Sequence, residues 1–473
     1  MTLTNAGRGG VVWVRGMGCL AFAAVTLAVL PGHAAAQMQS DSLTITLDEA
    51  ISMARRANPA FRRAENALDQ NAAERRNTLF SQVLPTVRLD LLSTGYSGNL
   101  SYRARDNFGN PIANPDAEWS YFSSTNQGLD LSWTFRGRSL FNTLRGQDLQ
   151  ESSRIAAMGT AAWSLSSDVR TQYYSALQAL GLLEVEEELA AGRAFDLESA
   201  NRRFELAQAS RVDVLTAEVQ VEQQNISVRE ARSRYEQALL SLRTAIGDPD
   251  APSLRVSSPE LPIFDPSSIT ADALVGRALG SNPGLAESEF QIAQARLGVD
   301  QAGGERWWPQ ISLNYSIGRF SQAPEVASFG DFTHEKTDLT SRFGFSVSLP
   351  FFNNYFQDDL NEVQAQIQLA NAQESRKENE LNIDQSVRSG LIDLKNQYAS
   401  LQLAQRSADI AGEASELARQ EYQFGIRTFE QLQQTLQQES DARRSVIQSR
   451  FGFVTALLTL ESAIGAPITL GAN

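Results

Sequence analysis

Apolar and polar residues alternate strictly in four separate stretches of the chain. Ile311, Leu313, Tyr315 and Ile317 alternate with polar residues or glycine, and so do the odd-numbered positions of residues 343–349. The first half of the chain repeats the pattern in "TVRLDL" and "GLDLSWTF". A period of two places the apolar side chains on one face of a β-strand. The pattern predicts four strands, although a soluble β-sandwich would alternate in the same way.

The segments between the paired strands are long and polar, and aromatic residues are concentrated near the strand ends. Tyrosine and tryptophan prefer the interface between an apolar layer and water. Long loops on one side and aromatic girdles are typical of outer-membrane barrels. The aromatic residues concerned are Tyr96, Tyr102, Trp119, Tyr121, Trp307, Trp308 and Phe320.

The apolar period changes from two to about 3.5 in two long tracts, residues 139–245 and 358–463, neither of which contains proline. One apolar stripe runs through Ile383, Val387, Leu391, Leu394, Tyr398 and Leu401. Such spacing is typical of coiled coils. Interruptions at Ala207–Asp213 and Gly425–Gln431 predict that each tract is a helical hairpin. The first helix of the second hairpin would be about 100 Å long.

The second half of the chain repeats the first. Asn58-Pro59 recurs as Asn282-Pro283, and "ALLSLRTAIGDP" recurs as "ALLTLESAIGAP", at offsets of 224 and 218 residues. Each unit begins with helices around the Asn-Pro pair, continues with two strands, and ends with a helical hairpin. We therefore predict a first structural repeat over 37–258, a linker over 259–267 and a second repeat over 268–473.

The N-terminus has the anatomy of a signal peptide. Arg8 and Arg15 precede a short apolar core, and Ala34 and Ala36 form an A-x-A cleavage pattern. We predict a signal peptide over 1–36, with an uncleaved N-terminal anchor or lipidation of Cys19 as the alternatives. The exported chain has no later apolar run long enough for a membrane-spanning helix.

Composition excludes several classes of function. The net charge of −14 argues against nucleic acid as a partner. Two histidines and one cysteine, of which only His334 lies outside the predicted signal peptide, cannot supply a disulfide or a Cys/His zinc site. We therefore expect neither an enzyme, a metal site nor a cofactor.

Four strands are too few to form a membrane barrel. About eight strands are the fewest that close, and open strand edges are not tolerated in lipid. The sequence therefore predicts an oligomer in which helical hairpins continue below the strands as a second cylinder.

Together these features resemble the TolC family of outer-membrane efflux proteins. The resemblance rests on the paired Asn-Pro helices, "SVSLPFFNN", the turns "FELAQAS" and "YQFGIRT", and the helix ends "AIGDP" and "AIGAP". It implies an α+β membrane protein: a homotrimer with a 12-stranded β-barrel, four strands per chain, a mixed equatorial domain and a periplasmic α-helical coiled-coil barrel.

The resemblance also implies function and location. The protein would be the exit duct of a tripartite efflux pump or type I secretion system in the cell outer membrane. Its partners would be outer-membrane lipid, a periplasmic membrane-fusion adaptor, and an inner-membrane pump of RND or ABC type. Cargo stays open between drugs, metals and proteins. The alternative is a soluble periplasmic coiled-coil adaptor, which would have similar hairpins and a signal peptide but would lack four alternating segments with aromatic girdles.

Finally, the resemblance implies a periplasmic gate at the hairpin turns. The matching positions are Tyr422 and Arg427 of "Y-x-x-G-x-R", and Asp213, nine residues after Phe204. Solvated turn residues without a gating role are the alternative. Gln431 and Gln434 stand where some relatives narrow the tip with acidic residues, and Glu430 is adjacent. These three are candidates for a tip constriction, in which a strong cation-selective ring is not expected.

Overall fold

The computed structural model describes residues 43–102, 105–113, 117–248, 254–257, 261–304, 308–323, 338–349 and 355–468. The predicted signal peptide, including Cys19, lies outside these ranges. So do Trp307, residues 350–354 of the "SVSLPFFNN" motif, and residues 259 and 260 of the predicted linker.

Two similar series of elements follow each other along the described chain. The first comprises β1 (Leu43–Ile45), α1 (Leu47–Ala57), α2 (Pro59–Val83), β2 (Thr86–Tyr102), β3 (Ala117–Phe135), α3 (Gly137–Glu205) and α4 (Arg211–Ile246). The second begins after β4 (Leu254–Val256) and a 3₁₀ turn (Pro266–Ser268). It comprises α5 (Ala271–Ser281), α6 (Pro283–Gly304), β5 (Gln310–Ala323), β6 (Asp338–Ser348), α7 (Tyr355–Gln423) and α8 (Phe429–Ile464).

The four predicted strands are confirmed, and they form one antiparallel sheet in the order β2-β3-β5-β6. Its register aligns the apolar positions across neighbouring strands: Leu129 pairs with both Leu89 and Ile317. The sheet therefore has one continuous apolar face. Strands β2 and β6 are its edges, and apolar side chains on both are open to solvent, with Leu89 and Phe345 each 63% exposed.

Two helical hairpins account for more than half of the described residues. Helices α3 and α7 each have 69 residues, and at about 1.5 Å per residue each is about 100 Å long. Turns at Leu206–Ser210 and Phe424–Thr428 join them to α4 and α8. The predicted turns overlap these but extend into the first turns of α4 and α8, which begin earlier because Ser210 and Thr428 cap them. Among the described residues, no helix combines the length and apolar character needed to cross a membrane.

The repeated "AIG-P" motif marks a junction between helices as well as a helix end. The C-terminus of α4 meets the N-terminus of α2, where Asn58 Nδ2 donates a hydrogen bond of 2.9 Å to the Ala245 carbonyl. The second repeat forms the same junction between α8 and α6, where Asn282 Nδ2 donates to the Ala463 carbonyl at 2.8 Å. The left-handed C-cap glycines, Gly247 and Gly465, allow the close approach.

Short helices and strands pack against each hairpin near these junctions. Helix α5 covers Val387, Leu391 and Leu394 of α7, so part of the predicted apolar stripe is buried under a third helix. Helix α1 and the parallel pair β1-β4 cover the equivalent part of α3. There the hydroxyl of the buried Tyr173 lies 2.7 Å from the Ser257 carbonyl oxygen and 3.1 Å from that of Ile45. These contacts hold the mixed layer of short elements to the long helices.

Candidate functional site

The two hairpin tips have the same backbone design. In each, a residue in the left-handed conformation follows the first helix, Ala207 at φ 56° and Gly425 at φ 74°. A capping box then starts the second helix. In the first tip, the Asp213 amide donates to Ser210 Oγ at 3.1 Å, and Asp213 Oδ2 accepts from the Ser210 amide at 3.0 Å.

Tyr422 is the centre of a small core between the tips. Its side chain is only 5% exposed, and its ring lies 5.6 Å from that of Phe429. The Arg203 guanidinium lies over the ring, 4.3 Å from its centroid, and donates to the Tyr422 carbonyl. Burial raises the pKa of the Tyr422 phenol, and the charge of Arg203 partly offsets this. Within the described part of one chain, the phenol oxygen has no hydrogen-bond partner.

The other two predicted gate residues make contacts within their own turns. Arg427 Nε donates to Glu421 Oε2 at 2.8 Å, and its Nη1 donates to Thr435 Oγ1 at 3.2 Å. The Asp213 carboxylate is engaged in the capping box. Within one chain, therefore, no hydrogen bond or ion pair joins Tyr422, Arg427 and Asp213 among the contacts described.

The three constriction candidates lie in the first turns of α8. Gln431 is the third residue of the helix and completes the capping box, its Oε1 accepting from the Thr428 amide at 3.2 Å. Glu430 and Gln434 have exposed side chains. Glu430 is the only acidic residue in the first turn of α8.

A network of charged residues joins the two hairpins above the tips, and the sequence interpretation missed it. Asp196 of α3, 5% exposed, accepts a hydrogen bond of 3.3 Å from Arg419 Nε of α7. Burial raises the pKa of the Asp196 carboxyl, and the positive charge of Arg419, which acts to lower this pKa, only partly offsets the increase. Its second carboxylate oxygen, Oδ2, has no hydrogen-bond partner among the described residues, and Asp196 lines a cavity of about 300 Å³.

Further charged pairs extend this network along α3 and α8. Glu186 accepts two hydrogen bonds from Arg444, at 2.6 and 3.0 Å. Burial acts to raise the pKa of the Glu186 carboxyl, but hydrogen bonds from Arg444 and Gln224 outweigh it, so the pKa is lowered. Arg193 donates to the uncharged Gln433, and Arg443 pairs with both Glu188 and Glu439. We call the following residues the seam network: Glu186, Glu188, Arg193, Asp196, Arg419, Gln433, Glu439, Arg443 and Arg444.

A pattern in the sequence could have revealed the network. The buried positions of α3 include Leu183, Glu186, Leu189, Arg193, Asp196 and Ala200. Their spacing of three or four residues is that of a helix core, so the three charged residues occupy apolar-stripe positions. Charges in that register are buried and need partners from another helix.

A comparison with models of known protein families finds one match in the second half of the chain. Residues 274–466 match the model of the outer membrane efflux protein family. A comparison with curated protein sequences gives no match.

Several solved structures have the same fold over most of the chain. A membrane protein from Pseudomonas aeruginosa is similar with a TM-score of 0.66 and 19% identity, over 89% of this chain and 90% of that one. The Neisseria gonorrhoeae MtrE outer membrane channel, in its open state, gives 0.63 and 18%, over 90% of each chain. The Vibrio cholerae outer membrane protein VceC gives 0.62 and 15%, over 89% and 97%.

The mostly helical fold with one antiparallel sheet is therefore shared with outer-membrane channels. The predicted resemblance to the TolC family is confirmed. Residues 274–466 thus match the outer membrane efflux protein family, and the described chain as a whole has the fold of solved outer-membrane channels.

Proposed function

We propose that the protein is an outer-membrane channel, the exit duct of a tripartite efflux pump or type I secretion system. One observation carries the proposal: a single chain joins a sheet with an exposed apolar face to two helical hairpins about 100 Å long. The exposed apolar face of the sheet can contact the hydrocarbon of a bilayer, and the long hairpins can extend into the aqueous compartment below it. The family match over residues 274–466 supports the same function.

The proposed assembly is a homotrimer. Strands β2 and β6 are edges of the sheet, and an unpaired edge cannot lie in lipid because its backbone groups stay unsatisfied. Three copies supply twelve strands, enough to close a barrel around a channel. Crosslinking in mild detergent should give a trimer band. A clean monomer under conditions that preserve channel activity would contradict the assembly.

The proposed location is the outer membrane, with the hairpins extending into the periplasm after signal peptide cleavage. Intact mass of the extracted protein should match a chain that begins at or near Gln37. A diacylglycerol adduct on Cys19 would contradict this and support the lipidated alternative. Heat-modifiable migration after detergent extraction would distinguish the membrane barrel from the soluble adaptor, which would form no such barrel.

The proposed partners at the periplasmic end are a membrane-fusion adaptor and an inner-membrane pump of RND or ABC type. The tips offer apolar side chains to such a partner: Phe424 is 80% exposed and Ile426 is 75% exposed. Leu206 of the first tip is exposed as well. Apolar patches of this kind are characteristic of protein interfaces.

The proposed gate is formed by Tyr422, Arg427 and Asp213, with links made between copies. The unpartnered Tyr422 phenol supports this, because a buried hydroxyl normally finds an acceptor and one chain supplies none. Tyr422→Phe with Arg427→Ser should raise single-channel conductance in planar bilayers without loss of the trimer. Tyr398→Phe with Arg376→Ser, higher on α7, is the matched control and should conduct like the parent. Equal conductance of the gate variant and the parent would remove these residues from the gate.

The polar side chains of Gln431 and Gln434 give the proposed constriction little fixed charge. Only Glu430 adds a carboxylate there, once per copy. We therefore expect weak cation selectivity, measured as a small reversal potential in a salt gradient across the bilayer. A strong cation preference that Glu430→Gln leaves unchanged would place the selective charges elsewhere.

A further inference from the structure

The apolar face of the sheet continues along β2 and β3 beyond the end of β5. Strand β3 keeps one register with β5 throughout, and its single register shift against β2 adds a residue on β2, between Asp90 and Ser93. Odd-numbered residues of β3 from Phe135 to Trp119 therefore lie on one face, because side chains alternate along a strand. Beyond the shift, the residues of β2 on that face have even numbers.

The far end of this face carries exposed rings, which together with Leu100 we call the aromatic patch: Tyr96, Leu100, Tyr102, Trp119 and Tyr121. The planes of the Trp119 and Tyr121 rings differ by 12°, and their centroids are 5.9 Å apart. A Cβ built on Gly98 would lie 3.0 Å from Tyr121 Cε1 and 3.4 Å from Trp119 Cζ3. The lack of a side chain at Gly98 therefore lets both rings lie over β2.

The rings of Trp119 and Tyr121 lie well above the apolar band of the sheet. Phe135, the last residue of β3, marks the lower edge of that band, and Tyr121 is 14 residues away from it. At about 3.4 Å per residue and a tilt of about 40°, Tyr121 is about 36 Å above Phe135. The apolar band of an outer-membrane barrel is only about 25 Å tall, and a phospholipid headgroup layer adds about 5–7 Å. Both rings therefore lie above the level of an aromatic girdle or a phospholipid headgroup.

Among the described side chains of the four strands, only Arg319 places a charge on this face. It pairs with Gln127 of β3, which by the same measure is about 21 Å above Phe135, close to the upper edge of the apolar band. The Arg319 side chain is exposed, and its length lets the guanidinium reach the headgroup region. The other described charged side chains of the strands lie on the opposite face: Arg88, Asp90, Asp130 and Arg342.

We propose that this face binds the phosphorylated glycolipid of the outer leaflet, with Arg319 at a phosphate and the aromatic patch at the core sugars above it. This rests on the proposed outer-membrane channel and adds which lipid its surface selects. A guanidinium forms charge-assisted hydrogen bonds with a phosphate at the top of the acyl region. Aromatic rings offer an apolar surface to the C–H face of a sugar whose hydroxyls stay hydrated. A phospholipid could make only the first contact, because its headgroup ends below Trp119 and Tyr121.

A purely structural role does not account for the exposure of the patch. Strand β5 ends at Ala323, opposite Ser123, so the described β2 and β3 continue beyond it as a two-stranded ribbon. Such a ribbon is only marginally stable, and rings packed over a glycine help to hold it. Yet Trp119 is 58% exposed and Tyr121 is 51% exposed. About half of each side chain is therefore left open to a ligand.

Native mass spectrometry of the full-length protein in mild detergent can measure the affinity for three lipids. The probes are lipopolysaccharide with a complete core, lipid A without core sugars, and phosphatidylglycerol, which has a phosphate but no sugar. The parent should bind complete-core lipopolysaccharide about tenfold more tightly than lipid A, because only the former reaches the aromatic patch. Phosphatidylglycerol should bind no more tightly than lipid A.

Variants separate the two contacts. Trp119→Val with Tyr121→Val removes the rings but keeps strong β-formers, so the affinity for the complete-core form should fall to that for lipid A. Arg319→Gln should weaken both forms about tenfold and leave their ratio unchanged. Two matched controls should bind like the parent: Phe108→Ala removes a ring that is 91% exposed in the loop between β2 and β3, and Arg342→Gln removes a charge on the opposite face.

Two results would overturn the proposal: equal binding of lipid A and complete-core lipopolysaccharide by the parent, or a double-valine variant that keeps the parent's preference. If the double-valine protein does not fold, Tyr102→Thr replaces it, because Tyr102 is 69% exposed at the end of β2 and is not one of the rings over Gly98. Its preference should fall about threefold, and an unchanged ratio would overturn the proposal. A parent that shows neither heat-modifiable migration nor conductance would instead refute the proposed function.

Discussion

Gly465, the C-cap of α8, is the position where the smallest substitution should have the largest effect. Its φ of +79° is left-handed, and a Cβ there would lie 2.7 Å from Pro283 Cδ and 2.8 Å from the Ser281 carbonyl oxygen. The conformation costs a residue with a Cβ about 1–2 kcal/mol. The clash forces a shift at the junction of α8 and α6 that costs about 1–3 kcal/mol more. We expect Gly465→Ala to lower the free energy of unfolding by about 2–5 kcal/mol.

Two other glycines separate these contributions. Gly425 has a φ of +74° but its nearest neighbour, Arg203 Nη2, would be 3.7 Å from a Cβ, so Gly425→Ala should lose only about 1–2 kcal/mol. The equivalent tip position in the first repeat is already alanine, Ala207, at φ 56°. Gly276 lies inside α5 with nothing within 4 Å of a Cβ, and Gly276→Ala should gain about 0.5–1 kcal/mol.

Denaturant unfolding of the detergent-purified protein, followed by circular dichroism at 222 nm, measures the three variants against the parent. The expected order of stability is Gly276→Ala, parent, Gly425→Ala, Gly465→Ala. The junction would not be tightly packed if Gly425→Ala and Gly465→Ala lost equal amounts. A Gly465→Ala protein as stable as the parent would refute both parts of the reasoning.

Three further substitutions test buried polar contacts by thermal unfolding. Glu186→Gln removes the charge held by Arg444, whose side chain is 26% exposed, and should cost about 2–3 kcal/mol at pH 7. The loss should shrink as the pH falls through the lowered pKa of Glu186, and a pH-independent loss would contradict the ionic assignment. Asp196→Asn keeps an acceptor for Arg419 and removes a carboxylate whose pKa is raised by burial, so it should stabilise the protein at pH 7. That gain should fade as the pH falls through the raised pKa, because the parent carboxyl is then protonated too; a gain that grows in acid would be the wrong sign. Tyr173→Phe leaves two carbonyls without their hydroxyl neighbour and should cost about 1–3 kcal/mol, whereas an unchanged melting temperature would show that water replaces the hydroxyl.

Local patterns predicted the elements of this fold but not the contacts between them. Alternation at Leu129 and Ile317 predicted strands, because a period of two is a property of consecutive residues. The "AIG-P" motif predicted a C-cap at Gly465. It could not predict the junction, because Asn282 bonds to a carbonyl 181 residues away.

For the candidate site too, the sequence predicted the position of local motifs but not the contacts between distant residues. The turn motif located Tyr422, and the structure adds its buried environment beneath Arg203. The seam network was missed because Asp196 and Arg419 are far apart in sequence and each, taken alone, has the character of a surface residue. Among the described residues of one chain, the Tyr422 phenol has no hydrogen-bond partner, and a turn motif cannot predict one because partners far away in sequence leave no local pattern.

The matched helix lengths constrain how such a gene can change after duplication. The long helices have 69 residues in both halves and the shorter ones 36. A residue inserted into the helices of one hairpin would place its tip at a different level from the tip of the other hairpin. Length changes that preserve the alignment of the two tips must therefore occur in both halves together. The strand end is not matched in this way, because β2 begins at residue 86 and β3 ends at residue 135, whereas β5 begins at residue 310 and β6 ends at residue 348, a shorter interval. Insertions and deletions among descendants of this gene should therefore accumulate at the strand end and be nearly absent, or paired, in the hairpins.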